Sequence, residues 1–407
     1  MSTVEEALAA IGHGEIVIVS DDDDREHEGD LIMAADAATP DKVAFYLQHT
    51  SGVVCASLTG ERCDALELPL MVHDNTEPHR TAFTVSVDAA VGTTTGISAA
   101  DRSLTLRKLA SGGSTAADFV RPGHIFPLRA RDGGVLKRAG HTEAATDLVR
   151  MAGLKGAGML CEVVTPDRRA MARTEDLRRL SIEYRLAFIT IADLVRYRLQ
   201  RERLVTEVAH TRIPTRYGDF ECRAWQSTLD GIEHVSLSRG DIRGDDAVLV
   251  RVHSECLTGD VFGSHRCDCG AQLDDALRLI ARHGAGAVVY LRGHEGRGIG
   301  IAHKIRAYNL QDHGYDTVDA NLMLGLPVDG REYGIGAQIL LELGVRRMRL
   351  ITNSPAKYRG LEGFGIDIVE RVSLPSKVTP ENARYLQTKH IRMGHLLSTT
   401  PAPIEEN

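Results

Sequence analysis

Short apolar runs alternate with segments of helical periodicity along the whole chain. Two segments, 142–152 and 272–283, place aliphatic side chains on one helical face and end next to a glycine, as amphipathic helices do. The apolar runs that fit buried strands are 16–19, 53–58, 83–87, 159–164, 247–252, 287–291 and 366–369. The alternation predicts an α/β (mixed α+β) fold, in which each domain has a mixed β-sheet flanked by helices in a layered arrangement.

The chain length predicts more than one domain, because 407 residues exceed what a single hydrophobic core usually supports. The joint is expected in the charged stretch 196–203, where a helical pattern ends and the strand pattern restarts. We therefore predict two domains, 1–202 and 203–407. The stretch has no run of glycine and serine, so the two halves are not expected to be loosely tethered.

The composition is that of an ordinary globular protein, with 43% apolar and 26% charged residues. No apolar run approaches the ~18 residues that would span a bilayer. The first residues are acidic where a signal peptide would be basic, so we expect a cytoplasmic protein without membrane partners. The net charge of −8 argues against a general nucleic-acid binder. The charge does not argue against binding of phosphorylated small molecules, because a few local arginines and lysines suffice to bind them.

Three of the seven cysteines, Cys256, Cys267 and Cys269, fall within fourteen residues. Their spacing is not that of a disulfide framework, so a zinc ion is the economical explanation of the cluster. Structural zinc sites have four protein ligands, whereas hydrolytic sites have three and leave one position for water. The cluster therefore favours a catalytic site, and a structural knot closed by His253 or His265 is the alternative.

Residues that suit nucleotide binding surround the cysteines. The strand before them delivers Arg251, His253 and Glu255 to the end where the first cysteine lies. The next strand runs into the glycine-rich turn 292–300, whose backbone can approach phosphate and whose arginines add positive charge. Many such turns bind nothing, so the turn alone is weak support for a phosphate site.

Six motifs, taken together in their order along the chain and with their residue identities, indicate the function more specifically than the turn alone. The motifs are 251–256, 267–269, 293–298, 308–312, 329–334, and 352–355 with Lys357. Together they closely resemble GTP cyclohydrolase II, and the resemblance runs from about residue 205 to the C-terminus. It implies hydrolysis of GTP to 2,5-diamino-6-(5-phospho-ribosylamino)pyrimidin-4(3H)-one, formate and pyrophosphate. In that reaction a zinc-activated water attacks C8 of guanine and opens the imidazole ring.

The same resemblance implies roles for individual residues, and Mg²⁺ is expected to accompany GTP. The implied zinc ligands are Cys256, Cys267 and Cys269. Arg331 would attack the α-phosphorus, and Asp329 would accept the proton. The implied GTP contacts are Arg251, Val252, His253, Ser254, Glu255, Gln272, Glu295, Gly296, Arg297, Tyr308, Thr317, Thr352 and Lys357, with Tyr308 stacked on the base. Without the resemblance, Tyr308 would be a packing residue of an amphipathic helix, and Asp329 with Arg331 a surface ion pair.

An acidic loop, 20–30, follows the first predicted strand. Such a run is usually a solvated surface loop, but Arg25 among its carboxylates indicates a site for both an anion and a hard cation. Mg²⁺ prefers oxygen ligands and keeps several waters, so one glutamate and one histidine suffice together with a chelating sugar. The candidate histidine, His141, precedes a helix that is expected to start at Thr142. The N-terminus of that helix, beside Arg138, suits a phosphate group.

Further motifs make the first half resemble 3,4-dihydroxy-2-butanone 4-phosphate synthase over about residues 3–200. These motifs are 81–88, 94–102, 121–124, 137–143 and 161–162. The resemblance implies conversion of D-ribulose 5-phosphate to L-3,4-dihydroxy-2-butanone 4-phosphate and formate, with Mg²⁺ or Mn²⁺ on Glu26 and His141. His124 and Glu162 are the implied catalytic residues. The implied substrate contacts are Arg25, Glu26, Asp30, Arg138, Ala139, Gly140, His141, Thr142 and Glu162.

The two resemblances predict a bifunctional enzyme of riboflavin biosynthesis, and both families suggest a homodimer. Taken singly, His124 would be a hydrogen-bonded structural histidine and Glu162 a paired core charge. One rival hypothesis keeps the fusion but makes one half degenerate and merely structural. A second rival is a zinc-dependent regulatory or nucleic-acid-binding module, and the acidic balance and the three-cysteine set argue against it.

Overall fold

A computed structural model describes residues 1–21, 26–77, 79–244, 246–326, 331, 333–354, 361, 364–376 and 378–393. The chain forms two compact units, Met1–Arg198 and Leu199–Asn407. A helix carries the chain out of the first unit and ends at Arg201, and the next strand begins at Val205. The boundary at residues 202 and 203, which we keep as a proposal, lies between them. Among the described residues, no helix has the length and apolar character needed to cross a bilayer.

A seven-stranded mixed sheet forms the centre of the first unit. Its strands are β1 (Val17–Ser20), β2 (Gly29–Ala34), β3 (Cys55–Leu58), β4 (Val87–Ala89), β5 (Phe119–Arg129), β6 (Gly158–Glu162) and β7 (Ala187–Thr190). They are arranged in the order β4-β5-β3-β6-β2-β1-β7. The helices are α1 (Val4–Gly12), α2 (Pro40–His49), α3 (Gly60–Ala65), α4 (Ala99–Ala110), α5 (His141–Met151), α6 (Thr174–Tyr184) and α7 (Ile191–Arg201).

Alternate residues of the central strands pack on opposite faces of this sheet. Ile18 and Leu31 belong to an apolar cluster that includes residues of α2 and α4. Val17 and Ile32 belong to a second cluster, which includes residues of α1 and α5. A strand turns successive side chains to opposite faces, and here both faces bury aliphatic groups, so helices cover the sheet on both sides.

The strand predicted at 83–87 is wrong. This segment forms only isolated bridges, and β4 begins at its last residue. On one side the Thr84 amide donates to the Pro127 carbonyl, and on the other the Val85 amide donates to the Pro69 carbonyl. A proline has no amide hydrogen to donate in return, so neither ladder extends through the segment.

The second unit has a seven-stranded mixed sheet of its own. Its strands are β8 (Val205–Thr215), β9 (Gly218–Ser227), β10 (Glu233–Arg239), β11 (Val248–Ser254), β12 (Gly286–Leu291), β13 (Arg347–Ile351) and β14 (Asp367–Val372). Their order is β14-β13-β11-β12-β10-β9-β8. The helices are α8 (Leu257–Asp260), α9 (Cys269–His283), α10 (Ile301–Asp312), α11 (Thr317–Met323), α12 (Gly334–Glu342) and α13 (Ala383–Met393).

One half of this sheet is an antiparallel meander and the other half is parallel. β8 pairs with β9 and β9 with β10 in antiparallel fashion, whereas β11 pairs in parallel with both β12 and β13. β8 and β9 expose many polar side chains, so no apolar run marked them in the sequence. The predicted fold class, two mixed sheets flanked by helices, is confirmed in both units.

Candidate active sites

Three loops converge at the carboxyl edge of the parallel strands in the second unit. β11 leads into Glu255, β12 into the turn 292–300, and β13 into Thr352. The loops that follow parallel strands meet at one edge, which is where ligand pockets form in such sheets. A pocket opens here, and the predicted residues that line it are Arg251, His253, Ser254, Glu255, Cys256, Cys267, Cys269, Gln272, Gly296, Arg297, Tyr308, Thr317, Arg331 and Thr352.

The sulfur atoms of Cys256, Cys267 and Cys269 lie within 4.8 Å of one another. Those of Cys256 and Cys267 are 3.6 Å apart. Gly259 makes this packing possible, because a Cβ at that position would lie 2.9 Å from the Cys267 sulfur and 3.1 Å from the Cys256 sulfur. Three thiols at this spacing match the soft donor set of a zinc ion.

Neither histidine considered as a fourth ligand joins the cluster. His253 Nε2 lies 3.1 Å from both carboxylate oxygens of Asp260. That carboxylate also accepts a hydrogen bond from the Tyr290 hydroxyl at 2.8 Å. His265 is exposed. Within the part of the chain that the structure describes, the group therefore has three members, as a hydrolytic zinc site requires.

Lys304 of α10 directs its ammonium at the first cysteine. Its Nζ lies 3.1 Å from Cys256 Sγ and 2.9 Å from Thr258 Oγ1. A third acceptor, Glu295 Oε1, is 2.5 Å away, so each ammonium hydrogen has an acceptor. Hydrogen bonds from the other two cysteines, followed by the lysine charge, lower the pKa of Cys256. Lys304 thus favours the thiolate form that binds a metal.

A partly buried chain of hydrogen bonds begins at Arg251 of β11. The guanidinium donates to the Ile351 carbonyl at 3.0 Å and to Gln272 Oε1 at 2.7 Å. Gln272 Nε2 in turn donates to Asp268 Oδ2 at 2.6 Å. Arg251 is buried, and this burial lowers its pKa. The predicted GTP contacts Arg251 and Gln272 thus hold each other at the pocket wall.

The turn after β12 contributes a paired acid, Glu295, and an arginine, Arg297, whose terminal side-chain nitrogens find no hydrogen-bond partner in the described part of the chain. Glu295 is buried, and besides its bond to Lys304 it accepts the Leu257 amide at 2.7 Å. Both terminal guanidinium nitrogens of Arg297 are buried, and neither has a hydrogen-bond partner among the described residues. A buried cation without such a partner is costly, so Arg297 is suited to an anionic ligand.

Tyr308 of α10 lies in the pocket with cations against its ring. The Arg266 guanidinium carbon is 5.0 Å and the Lys304 ammonium 5.6 Å from the ring centroid. The phenol oxygen is 3.2 Å from Thr258 Oγ1. Tyr308 is therefore a polar wall of the pocket rather than a core packing residue.

Four of the residues predicted for this pocket are absent from its described lining. Val252 is buried inside β11, and Glu295 is bonded to Lys304, which does line the pocket. The predictions for Asp329, Lys357 and, in the first unit, Arg25 fall outside the described residues.

The acidic loop of the first unit brings Asp21 and Glu26 to His141. One donor atom of each lies within 4.8 Å of the other two. The buried Asp21 carboxylate accepts the amides of Glu26 at 3.0 Å and of Glu28 at 2.8 Å, which holds these two residues beside it. Glu26 Oε2 is 3.9 Å from His141 Nδ1. Two carboxylates and an imidazole are donors that suit Mg²⁺ or Mn²⁺.

Asp30 and Glu162 face each other on paired strands beside this group. They are direct partners in the register of β2 and β6. Burial, followed by the charge of Glu162, raises the pKa of Asp30 well above its usual value. Asp30 Oδ1 is buried without a hydrogen-bond partner in the described chain and lies 3.9 Å from His141 Nδ1. Crowded carboxylates with an unsatisfied oxygen fit a site that receives a cation.

The predicted phosphate seat, residues 138–142, lies at the start of α5. The helix begins at His141, one residue earlier than predicted, and its N-cap is Gly140, which has no side chain to bond the first amides. Arg138 is held beside this end by Glu143, whose Oε2 is 2.7 Å from its Nη1. Helix amides next to an arginine suit a phosphate group.

His124 of β5 is paired with a carboxylate that the sequence patterns did not identify. Its Nδ1 is 2.7 Å from Asp88 Oδ2, and its amide donates to Asp88 Oδ1 at 2.9 Å. Gly96 allows this pairing, because a Cβ there would lie 1.9 Å from Asp88 Oδ2. The carboxylate fixes the direction of the imidazole ring, as in catalytic histidine pairs.

His124 and Glu162 lie at the same end of the sheet. Cys55 of β3 pairs with Leu160 on β6 and with Phe126 on β5. His124 precedes Phe126 by two residues, and Glu162 follows Leu160 by two residues. Because β5 is parallel to β3 and β6 is antiparallel to it, both residues are displaced from Cys55 in the same direction. Neighbouring strands are about 4.8 Å apart, so the two positions are separated by roughly 10 Å across β3.

Both halves of the chain match families of known proteins. Residues 5–197 match the family model of 3,4-dihydroxy-2-butanone 4-phosphate synthase, and residues 206–373 match that of GTP cyclohydrolase II. The riboflavin biosynthesis protein RibBA of Nocardia farcinica is 59% identical over 394 residues, which cover 97% of this chain and 95% of that protein. RibBA of Mycobacterium marinum is also 59% identical, over 403 residues that cover 98% and 95%. The chain belongs to the RibBA family.

A solved structure is similar to this chain over both units. It is RibBX, a two domain 3,4-dihydroxy-2-butanone 4-phosphate synthase from A. baumannii, with 36% identity and a TM-score of 0.72. The match covers 92% of this chain and 100% of RibBX.

Membership of the RibBA family makes the protein a bifunctional enzyme of riboflavin biosynthesis. The first unit is a lyase that converts D-ribulose 5-phosphate to L-3,4-dihydroxy-2-butanone 4-phosphate and formate. The second unit is a hydrolase that opens the guanine ring of GTP with release of formate and pyrophosphate. The predicted activities are confirmed, and metal dependence fits both families.

Several residues that shape the two sites were not predicted. Lys304 precedes Tyr308 by four positions on one helix, so helical spacing alone could have placed both on the pocket side. Asp88 ends a motif of the synthase family, but only the sheet pairs it with His124. Asp21 was treated as part of a solvated acidic run, although it directly follows the buried strand β1.

Proposed function

We propose that the second unit opens the guanine ring of GTP with the help of a zinc ion on Cys256, Cys267 and Cys269. The observation that carries this proposal is a cluster of three sulfur atoms in the wall of a pocket that also holds the Arg297 guanidinium. The ion, when bound, would lower the pKa of a water molecule so that it attacks near neutral pH.

The side chains of the pocket have proposed roles in GTP binding and in the release of pyrophosphate. Arg297 and the turn around it would bind the phosphates of GTP, which arrive with Mg²⁺, and Tyr308 would stack on the base. Arg331 would form a nitrogen–phosphorus bond at the α-phosphorus while the bond to the bridging oxygen breaks and pyrophosphate leaves. Water would later cleave the nitrogen–phosphorus bond to release the monophosphate product and free Arg331. Asp329 would take the proton that Arg331 loses. The remaining predicted residues, including Lys357, are proposed to contact GTP.

We also propose that Glu26 and His141 hold Mg²⁺ or Mn²⁺ in the first unit, and we add Asp21 to this set. The ion would polarise the carbonyl and hydroxyl groups of ribulose 5-phosphate, so that their neighbouring C–H protons become acidic. Residues 138–142 and Arg25 would bind the sugar phosphate. Asp30, Glu162 and His124 would then bind substrate or move protons during enolisation and rearrangement.

A homodimer in the cytoplasm is proposed for the whole protein, with small molecules and no nucleic acid as partners. The homodimer rests on the family resemblance. The cytoplasmic location is supported by seven free cysteines, which a reducing compartment preserves.

A paired formate assay tests these proposals. Purified protein should release formate separately from GTP and from ribulose 5-phosphate. Cys269→Ser should abolish only the first activity, because the thiolate is a zinc ligand, and His141→Ser only the second. Cys222→Ser and His13→Ser are matched controls outside the two clusters and should retain both activities.

Zinc and formate are measured on the same samples. Loss of both activities in either site variant, with the fold intact, would defeat the two-site assignment. The rival hypothesis of one degenerate half predicts that only one substrate yields formate even in the unaltered protein. Nothing in the described residues favours that rival, since each unit presents a clustered donor set.

A further inference from the structure

Helix α13 (Ala383–Met393) lies beyond the part of the chain that matches the cyclohydrolase model, which ends at residue 373. Two of its side chains, Tyr385 and Lys389, nevertheless line the nucleotide pocket. The helix was not part of any sequence motif identified above. Its contacts indicate what it does there.

Lys389 makes a buried ion pair with Asp268. Its Nζ lies 2.8 Å from Asp268 Oδ1, and the lysine and the aspartate are 8% and 3% exposed. Asp268 is the residue between two of the cysteines, in Cys267-Asp268-Cys269. The C-terminal helix is therefore joined directly to the turn that carries two of the three sulfur atoms.

The ion pair also reaches the predicted GTP contacts. The second oxygen of Asp268 accepts Gln272 Nε2 at 2.6 Å, and Gln272 Oε1 accepts Arg251 at 2.7 Å. The hydrogen bonds therefore form one continuous series, from Lys389 through Asp268 and Gln272 to Arg251. A buried carboxylate that loses its cation is strongly destabilised, so removal of the lysine would disturb the whole series.

Other contacts hold the helix in this position. Arg392 bonds to Asp316 and, at 2.8 Å, to Asp319, at the start of α11. Arg384 donates to the Gly314 carbonyl at 2.5 Å. α11 itself contributes Thr317 to the pocket, so the helix is anchored to the same wall that it completes.

We propose that α13 completes the cyclohydrolase site and that Lys389 is a positioning residue for the Cys267–Cys269 turn and for the Gln272–Arg251 pair. This inference rests on the proposed function, namely that the pocket binds GTP and the cysteines bind zinc. Lys389 acts through Asp268 and does not need to touch the reacting atoms. Its loss should therefore weaken GTP binding and zinc retention more than turnover at saturating GTP.

The test uses full-length protein with Lys389→Met, which keeps the length of the side chain and removes its charge. We expect kcat/KM for GTP to fall about 10- to 100-fold through a higher KM, since the loss of residues that support metal ligands lowers activity by about this factor. kcat per bound zinc should change little, since a residue that supports binding alone alters KM. Zinc should also pass faster to a competing chelator than it does from unaltered protein. Formate release from ribulose 5-phosphate by the same sample reports whether the first unit is intact.

Two further variants separate positioning from a general loss of structure. Gln387→Met, an exposed residue of the same helix, should behave as unaltered protein. Asp268→Asn combined with Lys389→Met should recover part of the lost GTP affinity. The carboxamide oxygen of the new asparagine can still accept the hydrogen bond from Gln272, and no unpaired charge is left buried.

The outcomes are distinct for the inference and for the proposed function. A Lys389→Met protein with unchanged KM and unchanged zinc release would overturn the role of α13. Failure of the double variant to improve on Lys389→Met would overturn the charge-pairing explanation. If unaltered, zinc-loaded protein releases no formate from GTP, the proposed function itself fails.

Discussion

Individual side chains in the two sites differ in whether the protein itself satisfies their charge. The Lys304 ammonium has three acceptors, whereas the terminal nitrogens of Arg297 have none among the described residues. Asp30 is crowded by other carboxylates. Charges that the fold already satisfies orient their neighbours, and those that it leaves unsatisfied are suited to a ligand of opposite charge.

Lys304→Gln should impair the cyclohydrolase selectively. The change removes the ammonium from Cys256 and leaves the buried Glu295 carboxylate without its cation. Formate release from GTP should fall about 10- to 100-fold, and release from ribulose 5-phosphate should be unchanged. Arg306→Gln, an exposed residue on the same helix, is the matched control. Equal GTP rates in the two variants would show that the ammonium is dispensable.

Asp88→Asn should impair the synthase selectively. Asparagine retains an oxygen for the His124 amide but loses the charge that faces the imidazole Nδ1. If His124 transfers a proton, formate release from ribulose 5-phosphate should fall about 100-fold, the usual contribution of a general acid or base. Asp36→Asn, at an exposed position of the same unit, serves as control. An unaffected rate in Asp88→Asn would contradict the proposed role of His124.

Strands and helices were predictable where one element carries its own apolar pattern. The helix predicted at 272–283 is observed as Cys269–His283, with Leu277 and Ile280 buried. By contrast, β8 and β9 are long strands with mostly polar, accessible faces, and their stability comes from pairing with each other. Pairing between strands is a property of the sheet, so such elements leave a weak local pattern.

Strand β10 should make the stability of the second unit depend on pH. His234 is buried, its Nδ1 accepts the Arg292 amide at 3.2 Å, and burial lowers its pKa. The folded protein therefore binds the proton less readily than the unfolded chain does. The stability from neutral His234 is complete above the unfolded pKa of about 6.5 and is lost as the pH falls toward the folded pKa.

The single tryptophan provides the measurement. Trp225 is buried and pairs directly with His234 across β9 and β10, so its fluorescence reports unfolding of the second unit. Between pH 7 and pH 5 the free energy of unfolding should fall by up to about 1.4 kcal/mol per pH unit for this proton. His234→Asn keeps an acceptor but does not titrate, so its dependence should be shallower. Equal slopes would exclude His234 as the cause.

In the whole molecule, each compact unit carries its own group of side chains that could hold a metal ion. The first consists of oxygen and nitrogen donors and the second of three sulfur donors, so the two groups prefer different ions. The units also have separate apolar clusters around separate sheets. One polypeptide thus combines two donor sets that suit different metals.

A thiophilic zinc chelator, added with excess Mg²⁺, should therefore stop one activity and spare the other. Formate release from GTP should disappear as zinc is removed, because soft thiolates hold that ion, while ribulose 5-phosphate turnover should continue. A general chelator without Mg²⁺ should stop the synthase as well, and Mg²⁺ should restore it. Simultaneous loss of both activities with the zinc-selective reagent would contradict separate metal sites.

The sequence by itself determined the features that depend on local pattern and on short spacing. Three such features lie close together along the chain: the three cysteines, the helix that follows Cys269 and the glycine-rich turn. Their combination could therefore be predicted from the sequence. The tertiary structure decided which distant residues meet. Lys389 bonds to Asp268 across 121 positions, and His124 to Asp88 across 36. Such pairs depend on the order and register of strands, which hydrophobic periodicity does not specify.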